Sequence, residues 1–129
     1  MFGFGQMLKP FIEKIVDDVA INLVTNLSDI SEEDILFVEK VINDRDALYQ
    51  KSYHYLTDLL VEKDRSLVPM DLKSVHIERI EELVYQVKLT YQIVNGDLRY
   101  SILFDVPMFP PLRRNIANAT YWYIEAHQL

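Results

Sequence analysis

A chain of 129 residues, 50% hydrophobic and 26% charged, has the balance of one folded domain spanning 1–129 and not of a disordered tail. It has no cysteine, which excludes a disulfide framework, a thiolate metal site and a cysteine nucleophile. With 20 acidic and 13 basic side chains the net charge is −7, which disfavours nucleic acid and anionic membrane as partners.

The opening Met1-Phe2-Gly3-Phe4-Gly5 lacks the basic and apolar runs of a secretory signal, and Phe2 stands where myristoylation needs glycine. Charges interrupt every apolar run before it reaches the roughly 18 residues of a membrane span. Cytoplasmic residence is therefore the expectation.

From Gln6 to Leu27 the apolar residues Leu8, Phe11, Ile12, Ile15, Val19, Leu23 and Leu27 recur at steps of three and four. That spacing predicts a first helix with one buried face. Ser31-Glu32-Glu33-Asp34 then reads as the start of a second helix, a serine cap followed by acids that complement the positive end of the dipole. Its apolar positions continue through Val41, Leu48, Tyr55 and Leu59 as far as Asp64. Unbroken, it would be about 51 Å long, more than the roughly 36 Å across a compact domain of this size. A continuous or kinked helix is favoured over a full break, and a break would fall at Asn43-Asp44-Arg45-Asp46, where short polar residues compete for the backbone. Arg45 sits within the apolar arc and needs a partner there.

Residues 73–80 fit either a helix or a strand. The strand is preferred because the next segment is a hairpin, and an isolated hairpin is only marginally stable. Leu83, Tyr85, Val87, Leu89, Tyr91 and Ile93 alternate with polar residues, Asn95-Gly96 follows, and the apolar parity then shifts to Leu98, Tyr100, Ile102, Phe104 and Val106. A two-residue type I′ turn at Asn95-Gly96 sets Tyr91 opposite Tyr100, Leu89 opposite Ile102 and Val87 opposite Phe104, all on one buried face. A β-branched residue at Gly96 should resist the positive φ of such a turn. Pro107, Pro110 and Pro111 end the strand and open a last helix, whose stripe is Leu112, Ile116, Ala119, Tyr123 and Ala126.

The fold expected is thus α+β: two N-terminal helices, the second long, a two- or three-stranded antiparallel meander with an Asn-Gly hairpin, and a C-terminal helix.

The chemistry is sparse. Three glycines cannot supply a phosphate-binding or dinucleotide-binding loop. His54, Asp58 and Glu62 have one-turn ligand spacing, but a solvated acidic helix face produces the same spacing by chance. No metal, cofactor or catalytic residue is assigned, and an enzyme ranks behind two other classes. The first is an acidic cytoplasmic protein that acts through protein–protein interaction as a homodimer, a composition also compatible with a phage or mobile-element accessory protein. The second is a small-ligand-binding domain with a pocket between the tyrosine-rich sheet face and the helices.

Two sets of residues are nominated as contact surfaces. Arg113 and Arg114 place cations at the start of the last helix, where the dipole disfavours them, and Arg114 shares a face with Tyr121, beside Trp122. Together these four form a candidate partner site. Val41, Leu48, Tyr55 and Leu59 lie to one side of the long helix's main stripe and form a candidate self-association surface.

Overall fold

A computed structural model describes residues 11–25, 30–62, 69–81, 84–107 and 124–129. These form six strands and two helices, in the order β1 (Phe11–Val16), β2 (Val19–Thr25), α1 (Glu32–Asn43), α2 (Arg45–Glu62), β3 (Met70–Glu81), β4 (Val84–Ile93), β5 (Arg99–Pro107) and β6 (Ile124–Gln128). The strands make one mixed sheet in chain order, parallel between β2 and β3 and antiparallel at every other pairing. The helices form the crossover that a parallel pair requires.

The architecture corrects the expected one at both ends. The predicted first helix is instead the β1–β2 hairpin, with Val16 opposite Val19 and Ile12 opposite Leu23. The steps of three and four among its apolar residues suit a helix, but the buried positions of β2 are Val19, Ile21, Leu23 and Thr25, a period of two. Seven of the 15 residues from Phe11 to Thr25 are β-branched, a composition that packs better on a pleated surface than on a helix. Asp17 and Asp18 make the turn, with φ of 53° and 64°. Two consecutive left-handed residues are the type I′ geometry, which aspartate tolerates less readily than glycine. Asp18→Gly should therefore stabilise the chain by about 1 kcal/mol, seen as a higher denaturation midpoint at unchanged m-value. No gain would mean that this turn is not strained.

At the other end, the predicted C-terminal helix gives way at residues 124–128 to β6, which sets Ile124 opposite Phe104 and Ala126 opposite Ile102. Glutamate, alanine and glutamine favour helix locally, but the ladder offered by β5 overrides that preference. The remainder of that predicted helix lies outside the described residues.

Between the ends, the meander is present inside a larger sheet. Residues 73–80 belong to β3, whose register against β4 shifts between Leu72 and Ser74 and again between Arg79 and Glu81. A bulge moves the apolar parity from Met70 and Leu72 to Val75 and Ile77, which explains why that segment alternates poorly. In the β4–β5 hairpin, Tyr91 faces Tyr100, Leu89 faces Ile102 and Val87 faces Phe104, as the alternation predicts. The connection is longer than two residues. The Ile93 amide donates to the Leu98 carbonyl, the Gly96 amide donates to the Ile93 carbonyl, and the residue with positive φ is Asn95, at 62°. Gly96 is not left-handed, and a Cβ there would come within 3.2 Å of Ile93 Cγ2. A bulky residue at 96 meets a side chain, not a forbidden φ.

The helix favoured as continuous or kinked is instead divided at Asp44, inside the stretch where a break would fall. The Asp44 amide closes α1 on the Lys40 carbonyl, and its own carbonyl accepts from the Leu48 amide to begin α2. Ser31 caps α1 with a capping box: its hydroxyl accepts from the Asp34 amide, and Asp34 accepts from the Ser31 amide. Both helices pack on one sheet face. Phe37, Val38, Val41, Leu48, Leu56 and Leu60 meet Ile21, Leu23, Val75, Ile77, Val87, Leu89, Ile102 and Phe104 in one buried cluster. Tyr85, Tyr91 and Tyr100 lie in that interface and are buried as well.

Candidate functional site

Between the tyrosine-rich sheet face and the helices, aromatic side chains pack on one another. Phe37 stacks on Tyr85 with ring centres 4.0 Å apart, and Tyr53 meets Tyr91 edge-on at 5.9 Å. The hydroxyls of Tyr85 and Tyr91 are turned inward onto the protein. The Tyr85 hydroxyl donates to Asp34 Oδ1 at 2.5 Å, and the same carboxylate pairs with Arg79 Nη1 at 3.3 Å. The Tyr91 hydroxyl lies 2.5 Å from Ser52 Oγ and donates to the Tyr49 carbonyl. Burial pushes Tyr49 and Tyr85 above their ordinary range, and it pushes Tyr91 up to about 12. These contacts hold α1 and α2 to the sheet and spend the Tyr85 and Tyr91 hydroxyls within the protein. Where α2 meets the last strands, Leu56, Leu59 and Leu60 border a shallow cleft with Tyr100 and Ala126, about 50 Å³ in volume. That holds a few water molecules and is well below the roughly 300 Å³ at which small-molecule pockets begin.

The nominated residues divide three ways. Arg113, Arg114, Tyr121 and Trp122 lie outside the described residues. Val41 and Leu48 are fully buried in the chain's own core. Tyr55 and Leu59 are half-buried; the Tyr55 hydroxyl donates to the Ile124 carbonyl at 3.5 Å, and Leu59 lines the cleft. Arg45 finds the partner its position demands, donating from Nε to Asp17 Oδ2 at 3.0 Å and from Nη1 to the Ile42 carbonyl at 2.7 Å. It thereby ties the β1–β2 turn to the junction of the two helices.

The surface that the sequence reading missed is β1. Among the described residues it ends the sheet, and it exposes Phe11 at 60% and Ile15 at 74%. Both side chains stand on the face away from the helices, with Glu13 between them, whereas Ile12 and Val16 turn toward the core. The hydrogen-bonding groups follow the same alternation. A two-residue turn at Asp17-Asp18 makes Val16 and Val19 a bonded pair, so Ile12, Lys14 and Val16 spend their amides and carbonyls on β2. Those of Phe11, Glu13 and Ile15 point outward, and no described residue pairs with them. Exposed apolar side chains and unpaired backbone groups thus coincide on one edge. Only Glu13 and Lys14 break its apolar character, and edges guarded by more charge are the usual protection against pairing.

The chain matches no family model, no curated protein and no solved structure. None of the described helices is long and apolar enough to cross a membrane, and no cluster of three or more histidine and carboxylate side chains among the described residues could hold a metal ion.

Proposed function

We propose that this domain acts by protein–protein interaction and receives an extended segment of another chain as an added strand on β1. The observation that carries this reading is the coincidence at β1 of large exposed apolar side chains with three outward sets of backbone donors and acceptors. Strand addition uses both: main-chain bonds supply affinity, and alternate side chains supply specificity. The edge is held in place from behind, by five further strands and by the Arg45–Asp17 contact at its turn, so it is preorganised for pairing.

Glu13→Pro tests the proposal. Proline removes the outward amide of residue 13 and leaves the bonds of Ile12 and Lys14 to β2 intact, a substitution that edge strands accept. Stability should change by no more than roughly 0.5 kcal/mol, while proteins cross-linked to the native chain in its source cells should be absent from the variant. Capture that is equal for the two chains would contradict strand addition at β1.

A further inference from the structure

We infer that the strand β1 receives is β1 of a second copy, in one symmetric register with Glu13 on the two-fold axis; this rests on the strand-addition reading above. The register follows from parity. Phe11, Glu13 and Ile15 carry the outward amides and carbonyls, so only these residues can form the bonded pairs of a new antiparallel ladder. A two-fold axis at residue 13 pairs Glu13 with its own counterpart and each Phe11 with the Ile15 of the other copy. It uses every outward group from residue 11 to residue 15. Moving the axis by one residue leaves one end of this set without a counterpart.

The side chains agree with that register. Paired residues of an antiparallel ladder share a face, so each exposed Phe11 lies directly against an exposed Ile15, an aromatic and β-branched contact made twice. On the other face Lys14 stands beside the partner's Ile12, whose surface the lysine stem can cover. Charge also selects this edge. Two chains of net charge −7 repel each other, but Phe11–Val16 contains one acid and one base and is locally neutral. One six-residue strand gives a contact smaller than the roughly 1,200 Å² of a standard stable interface, so the dimer is weak and depends on concentration. The register also sets like charges opposite each other at the axis, and this tunes the affinity further downward.

Sedimentation equilibrium of the full-length chain, with native mass spectrometry of mixtures, tests the inference. The native chain should dimerise with concentration, Glu13→Gln should dimerise about 3-fold more tightly, and Glu13→Pro should remain monomeric with its melting temperature retained. Native chain mixed with Glu13→Lys should form more heterodimer than random pairing gives, because only then does a lysine face a glutamate at the axis. A dimer that mixes randomly overturns the register. A native chain that stays monomeric, yet loses its captured partner on Glu13→Pro, overturns self-pairing and leaves the proposed function standing. A monomer whose captured partners are indifferent to Glu13→Pro overturns both.

Discussion

Asp34→Ala should destabilise the domain by about 4 kcal/mol, a large share of the roughly 5–15 kcal/mol that holds a domain of this kind together. Asp34 has no exposed surface, and its carboxylate serves three partners: the Ser31 amide at 2.9 Å, the Tyr85 hydroxyl at 2.5 Å and Arg79 Nη1 at 3.3 Å. Removing it opens the capping box of α1, strands a buried phenol and takes the carboxylate away from Arg79, a residue only 8% exposed. The last effect dominates, because a buried guanidinium keeps its desolvation cost while the carboxylate at 3.3 Å that offsets part of it is removed. Asp34→Asn retains acceptors for the cap and the phenol and should lose about half as much. Chemical denaturation measures both. A loss below about 1 kcal/mol for the alanine variant would mean that the Asp34–Arg79 pair is hydrated or easily replaced.

Alkali should unfold the protein earlier than a chain with exposed tyrosines. Burial is the main cause that pushes Tyr91 up to about 12, only partly offset by its hydrogen bond with Ser52. In the unfolded chain a tyrosine ionises near pH 10. The folded state therefore holds the proton that the unfolded state releases, and the stability this provides is complete below about pH 10 and lost as the pH rises toward 12. For Tyr91 alone the loss reaches about 2 kcal/mol by pH 12. Burial and the hydrogen bond to Asp34 raise Tyr85 in the same direction, and burial raises Tyr49, so the fall steepens with each. Tyr91→Phe should cost a little stability at pH 8 and then lose less than the native chain between pH 10 and 12. Parallel curves for the two chains would show that the Tyr91 phenol is solvated in the folded state.

What could be read directly from the sequence was local. The β4–β5 register was legible because two alternating runs of opposite parity flank a turn-forming pair, and each level of the pattern supports the others. The capped start of α1, the weak point near Asp44 and the need of Arg45 for a partner were legible for the same reason. The β1–β2 hairpin carries the same parity shift across its turn, but Asp17-Asp18 contains no glycine. Its apolar steps from Phe11 to Leu23 also match a helix stripe. That ambiguity hid the candidate site as well, since Phe11 and Ile15, which a helix would bury, are the residues the strand exposes. The pairing of β2 with β3 and of β5 with β6 joins segments far apart in the chain. Which strand ends a sheet depends on all such pairings at once, so no window of sequence reports it.

No described residue pairs with the outer edge of β1, where another strand is proposed to add, and amide hydrogen exchange reads that edge residue by residue. In dilute solution the amides of Lys14 and Val16, which face β2, should be protected, and those of Glu13 and Ile15 should exchange freely. As the protein is concentrated, or as its partner is added, Glu13 and Ile15 should become protected while the rest of the sheet is unchanged. If Glu13 and Ile15 are already protected in the dilute monomer, or remain unprotected in the complex, the edge of β1 is not the site of strand addition.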